Sequence, residues 1–303
     1  MAASLRELRQ RRNSVTTIKK VTRAMELIAS SRIIKAQQRA HAAAPFAREL
    51  TRAVSAVATF SNVDHPLTTE SPDPKRAAML LVTSDRGLAG AYSSSVIKEG
   101  EQLTKLLTDS GKAVVPYVAG RKAAAFYNFR QRTVAGSWDG FSEAPTYAHA
   151  REIADRLIEA FLTPTEDGGV DEIHIVFTRF VSMLTQRVDV IRLLPLEVVE
   201  GAEPAQPGEL HPLYEFEPDP ETVLDTLLPI YVASRIQYCF LQSAASELAS
   251  RQRAMKSATD NAQQLIERLT REANQARQAE ITQEISEIVG GAAALAEASA
   301  SAE

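Results

Sequence analysis

Two stretches of this chain carry an apolar or small residue at every seventh position. Near the N-terminus the series is Leu8, Val15, Thr22, Ala29 and Ala36, with Ile18 and Met25 three places after two of its members. Toward the C-terminus it is Leu241, Leu248, Met255, Ala262, Leu269 and Ala276. A heptad seam of this kind predicts a coiled coil. Neither Gly nor Pro interrupts residues 4–41 or 230–289, so each stretch is expected to form one helix, the second roughly 90 Å long at the helical rise. Because several seam residues are small, two such helices can approach closely. The two ends of the chain are therefore expected to wind around each other.

The pattern between them is different. "SNVDHPLTTESPDP" holds three prolines and breaks the helical period. After it, "RAAMLLVTSD" reads as a buried strand, "SSSVIKEGEQLTKLL" as a helix and "KAVVPYVAG" as a second strand. "RKAAAFYNF" and "TYAHAREIADRLIEAF" read as helices, and "DEIHIVFTRF" and "RVDVIRLLPL" as strands. Strands alternating with helices predict a largely parallel sheet covered on both faces. The fold expected is thus a long antiparallel coiled coil of N- and C-terminal helices with an inserted Rossmann-like α/β domain. Its boundaries are 1–60 for the first helix, 75–200 for the insert and 214–303 for the second helix.

Charge adds one local feature. The chain balances 34 Lys and Arg against 38 Asp and Glu, yet its first forty residues hold ten basic side chains and only Glu7 and Glu26 as acids. That composition also suits an organelle transit peptide, but the heptads need the same residues as structure. No run of eighteen apolar residues occurs, so no transmembrane helix is expected. The single cysteine, Cys239, lies among apolar residues and reads as a packed, inert thiol.

Candidate chemistry concentrates in "LLVTSDRGLAGAYSSSVIK". There a strand ends, Gly87 and Gly90 follow, and Ser93, Ser94 or Ser95 could cap a helix whose start would seat a phosphate. The spacing matches neither the dinucleotide nor the P-loop fingerprint, so a structural turn with a local Asp85–Arg86 ion pair is the favoured reading. His41, His65, His149, His174 and His211 are scattered without metal-ligand spacing. Gly168 and Gly169 in "TPTEDGGV" suit an acidic loop better than a metal site. No catalytic residue, metal or cofactor is expected.

Four segments, "IKKVTRAMELIASSRIIKAQ", "SDRGLAGAYSSSVIK", "EPDPETVLDTLLPIYV" and "AMKSATDNAQQLIERLTREANQARQAEITQEISEIVGGAAAL", resemble the γ subunit of F-type ATP synthases. They occur in the family's order and cover both long helices and the first strand–turn–helix of the insert. Residues 112–212 resemble it in pattern more than in motif. The chain departs from the family in having Ala89 and Ala91 where a cysteine and a further glycine are common. It also lacks the paired cysteines of plant members, so thiol switching is not expected.

The resemblance implies a non-catalytic rotor: a left-handed coiled-coil shaft inside a ring of α and β subunits, with a foot on the membrane's c-subunit ring beside the ε subunit. It implies that Lys20, Arg23 and Met25 face acidic loops of the β subunits. Arg277, Gln278, Thr282 and Glu284 would make upper shaft contacts, and Ile281, Ile285, Ile288 and Val289 would be buried by a sleeve of the ring. Tyr214 and Glu215 would meet the c ring or ε. The match begins near Leu5, which argues against a cleaved leader. It further implies proton coupling, membrane association only through the complex at the cytoplasmic face of a bacterial plasma membrane, and no nucleic-acid partner. The rival readings are a nucleotide-binding α/β enzyme and a basic coiled-coil nucleic-acid binder.

Overall fold

The computed structural model describes residues 4–60, 65–196, 217 and 219–300, and of 58–60, 220 and 293–300 the backbone alone. The elements are α1 (Leu5–Phe60), β1 (Arg76–Val82), α2 (Tyr92–Asp109), β2 (Ala113–Ala119), α3 (Arg121–Phe129), β3 (Gly136–Trp138), α4 (Tyr147–Leu162), β4 (Glu172–Phe180), β5 (Gln186–Leu194) and α5 (Pro220–Ala300). Two compact units result, one of Met1–Ile28 with Ala254–Glu303, the other of Ala29–Arg253.

In the larger unit the strands lie in the order β3-β2-β1-β4-β5, all parallel except β5, which runs antiparallel to β4. Side chains alternate across a strand, and β1 shows what that does here. Ala77, Met79 and Leu81 join Val96, Leu103, Leu107 and Tyr127 of α2 and α3 in one core. Ala78, Leu80 and Val82 join Ile153 and Leu157 of α4 and Leu228, Val232, Ile236 and Phe240 of α5 in the other. Each large side chain so buried stabilises the fold by about 1.5–3 kcal/mol. The sheet is therefore covered on both faces, with a stretch of α5 forming part of the cover. The strand β3 was not foreseen, because three residues, "GSW", carry too short a pattern to read.

The acidic loop between α4 and β4 ties down the start of β1. Asp171 accepts the backbone N–H groups of Lys75 at 2.8 Å and Arg76 at 2.9 Å, and its other oxygen accepts the Thr165 hydroxyl at 2.7 Å. Arg76 Nε in turn donates to the Gly169 carbonyl at 2.9 Å. A Cβ on Gly169 would stand 1.8 Å from the Thr163 carbonyl oxygen, so only glycine fits.

Helix α5 exceeds its expected bounds at both ends. It starts at Pro220, where Asp219 accepts the Thr222 N–H at 2.9 Å and its hydroxyl at 2.9 Å, an N-cap just ahead of a proline at the first helical position. Pro229 lies inside the helix. An interior proline costs about 3 kcal/mol, but Leu224, Leu228 and Val232 around it are buried in the sheet core, and that burial offsets the cost. Cys239 is fully buried, and burial pushes its thiol up to about 12, as an inert packed cysteine requires.

In the smaller unit the heptad series are the buried ones. Leu8, Thr22, Met255, Ala262 and Leu269 are buried, and Val15 and Ala276 are half-buried. The Thr22 and Thr259 hydroxyls meet at 2.8 Å, and Lys19 Nζ donates to Gln263 Oε1 at 2.5 Å. Rising numbers on α1 thus meet falling numbers on α5, an antiparallel pair. The second seam position differs from the expectation. It falls four residues after the first, at Arg12, Lys19 and Glu26, and Ile18 and Met25 are 55% and 37% exposed. A count of apolar residues misplaces the seam because polar side chains occupy that row.

Candidate interaction surfaces and the closed switch point

Strand β1 lies between β2 and β4, so the chain reverses direction across the sheet at its C-terminal end, where open α/β sheets bind ligands. In this chain the site is occupied from within. Asp85 Oδ2 accepts the backbone N–H of Gly140 at 2.9 Å and of Ser142 at 3.0 Å, and Oδ1 that of Arg121 at 3.2 Å. The expected Asp85–Arg86 pair is replaced by these backbone donors, which surround the carboxylate more closely than a neighbouring side chain can. The Ser93 hydroxyl turns back to Ser84 Oγ at 2.7 Å instead of capping α2, whose N-cap is Ala91. Gly120 has φ 109°, and a Cβ there would stand 2.3 Å from the Thr83 carbonyl oxygen.

Helix α5 closes the crevice. Its Arg251, buried, donates to the carbonyls of Arg86 at 3.2 Å and Gly87 at 3.3 Å, to Glu143 at 3.0 Å and to Glu247 at 2.7 Å. Glu143 is also paired with Arg32 of α1. The space left beside Asp85, Tyr92, Phe240 and Ser243 is about 10 Å³, room for about one water. Motif reading singles out the glycine turn but not Glu247 and Arg251, whose i, i+4 spacing at the foot of an apolar run is the available signal.

The remaining candidates sit on the helices of the smaller unit. Lys20 is exposed, and Arg23, 57% exposed, holds the buried Glu26 at 2.8 Å. At 100° per residue, Lys20 and Arg23 share one face of α1, whereas Met25 falls on another with the exposed Ile18, Val21 and Ile28. The three residues expected together are thus split between a cationic face and an apolar stripe. On α5 every residue from 277 to 292 is exposed. Arg277, Gln278, Thr282 and Glu284 are among them, with the Thr282 hydroxyl donating to the Gln278 carbonyl at 2.9 Å. Ile281, Ile285, Ile288 and Val289, spaced i, i+4, i+7 and i+8, form one apolar stripe, exposed by 43%, 56%, 71% and 62%. Tyr214 and Glu215 lie outside the described residues. Among the described residues no cluster of three or more His, Cys, Asp and Glu could hold a metal ion, and no helix is long and apolar enough to cross a membrane.

These features define an α/β sheet flanked by two long terminal helices, with the crevice closed and the open apolar stripes on the helices. A family model described as ATP synthase matches residues 4–295. ATP synthase gamma chains of Kineococcus radiotolerans and Nocardioides sp. are 65% and 64% identical, over 98% and 100% of this chain and the same shares of those proteins. That of Cutibacterium acnes is 62% identical over 98% of both. The chain belongs to the family of ATP synthase gamma chains. Solved structures share the fold: a chain of the central stalk and c ring of the Tetrahymena thermophila mitochondrial ATP synthase (TM-score 0.56, 22% identity, 78% of this chain and 99% of that one) and one of the Euglena gracilis mitochondrial ATP synthase rotor (0.62, 14%, 91% and 98%).

Proposed function

We propose that this chain is the central-stalk rotor of a proton-translocating F-type ATP synthase and carries no catalytic site of its own. The observation that carries the reading is the exposed stripe Ile281, Ile285, Ile288 and Val289 on a helix stretch exposed all round. In water such a stripe gives up the burial energy an amphipathic helix ordinarily gains, so it calls for a partner. A sleeve formed by the ring of α and β subunits answers that need. Residues 1–60 and 214–303 form the shaft, and 75–200 form the foot on the c ring beside ε.

An asymmetric shaft cannot present the same face to three catalytic sites at once. The β-subunit conformation that binds the facing side best is populated there, which is a coupling free energy between shaft orientation and nucleotide affinity. Turning the shaft moves that bias from site to site. Each proton crossing supplies about 2.3 kcal/mol per 100 mV, so the rotor sums several crossings for each synthesis event. Lys20 and Arg23 attract acidic β-subunit loops while staying hydrated enough to slide, Met25 adds an apolar contact, and Arg277, Gln278, Thr282 and Glu284 meet the ring above. Tyr214 and Glu215 belong to the foot contact. The complex holds the chain at the cytoplasmic face of a bacterial plasma membrane.

The nucleotide-enzyme reading lacks room for its ligand in a crevice of about 10 Å³, and the nucleic-acid reading leaves the apolar stripes without a use. Deleting 276–303 is expected to leave the α/β sheet folded by circular dichroism while ring assembly and coupled synthesis fall. Coupled synthesis at the full rate in that truncation would refute the sleeve.

A further inference from the structure

The Arg251 clasp contains a buried carboxyl group that the rotor reading leaves unused. Glu247 is wholly buried on α5; its Oε1 accepts from Arg251 Nη2 at 2.7 Å, and its Oε2 has no hydrogen-bond partner. Nearby, the Tyr92 hydroxyl on α2 is buried beside the hydroxyls of Ser243 on α5 and Thr178 on β4. A carboxylate buried this deeply, with a single arginine for a counter-charge, is costly as an anion and much less so as a neutral acid.

We propose that Glu247 is an internal proton-binding site, and that its charge state sets how firmly Arg251 holds the turn after β1. The geometry is a competition for one nitrogen. Arg251 Nη2 lies within hydrogen-bond distance of three acceptors, the Arg86 carbonyl, the Gly87 carbonyl and Glu247 Oε1, but it has two hydrogens; the longer Nε contact with the Gly87 carbonyl, at 3.4 Å, lies outside this competition. An ionised Glu247 draws the guanidinium along its own helix. A protonated Glu247 releases that hydrogen to the turn's carbonyls, while Glu143 keeps the other nitrogen at 3.0 Å. The proton comes from solvent and returns to it, so no other reactant is needed.

The charged and titratable groups around the site agree with this. Arg251 on the same helix favours the anion, and so, to a smaller extent, does the Ser142 hydroxyl in the loop before α4. Glu143, in the loop before α4, opposes it, and is itself held by Arg32 of α1. The Tyr92 phenol faces the site from α2, and burial and the Glu247 carboxylate both raise it, so it stays a neutral hydroxyl. On β4 the Thr178 hydroxyl lies beside Tyr92, and Asp85 beyond the turn is committed to backbone donors. Burial dominates, raising Glu247 to about 7 against the attraction of Arg251. The clasp would therefore tighten as pH falls through neutrality.

Hydrogen exchange of residues 84–92 in the full-length chain, corrected for intrinsic rates and followed from about pH 5 to about pH 9, tests this directly. A one-unit difference in proton affinity between closed and open clasp corresponds to about tenfold in opening, so exchange of the turn should slow by about tenfold as pH falls. The near-isosteric Glu247→Gln should hold the slow rate at every pH. A carboxyl-labelled NMR titration supplies the second measurement: one glutamate resonance should move near neutrality and be missing from the variant. If turn exchange has the same pH dependence in both proteins, or no glutamate titrates near neutrality, Glu247 is not the switch. Coupled synthesis does not enter either readout, so failure here leaves the rotor assignment standing.

Discussion

Helix α5 passes through two environments. Between residues 232 and 249 most side chains are buried, Glu247 included, whereas between 277 and 292 every one is exposed. Both stretches are rich in helix formers and both carry β-branched or large apolar residues. Local propensity therefore does not separate them, and what differs is the presence of a tertiary partner. In the first stretch Phe240 and its neighbours cover a sheet face; in the second the apolar row has no partner among the described residues. One part of the helix is fixed to its own chain, and the other stands open to solvent.

The largest expected effect lies in the fixed stretch. Phe240 is 2% exposed, with its ring centroid 5.5 Å from that of Phe141. Phe240→Ala removes that contact and leaves a hole the sheet cannot close, so unfolding free energy in denaturant should drop by about 3–5 kcal/mol. A drop below about 1 kcal/mol would mean that α5 is not an integral cover of the sheet.

Between the extremes lies the seam of the paired helices. The Thr22 and Thr259 hydroxyls meet at 2.8 Å, both side chains being buried. Thr259→Val is expected to cost about 1 kcal/mol, and the double variant with Thr22→Val little more, because removing both polar partners leaves neither unsatisfied. A double-mutant cycle with no coupling energy would show that the two hydroxyls do not meet in solution.

The same contrast shows what sequence makes legible. The first heptad row, Leu8 to Ala36 and Leu241 to Ala276, is visible because its residues are small or apolar, and the sheet strands because they are continuous apolar runs. The second row was misplaced onto Ile18 and Met25, since Arg12, Lys19 and Glu26 bury their stems in the seam and show only charge to a sequence count. The start of α5 was missed because Pro229 looks like a stop until Leu224 and Leu228 are seen to be buried beside it. The closing of the crevice was not readable, because it depends on Arg251 meeting carbonyls at residues 86 and 87, more than 160 positions away. Lys20, Arg23 and Met25 came as one cluster from the resemblance, and helical geometry separates them into two faces.

The smallest effect on the isolated chain is the most informative about the rotor. Ile285 and Ile288 are 56% and 71% exposed, so Ile285→Ser with Ile288→Ser removes no internal contact and should change the unfolding free energy of the purified chain by no more than about 0.5 kcal/mol. Inside a sleeve the same pair would lose at least about 3 kcal/mol of burial, which weakens association with the ring by about a hundredfold or more. The two measurements pull in opposite directions from those for Phe240→Ala, whose cost appears in the isolated chain. Titrating purified ring with the double variant and with the unaltered chain separates the cases: equal affinities would show that the stripe stays in water in the assembly.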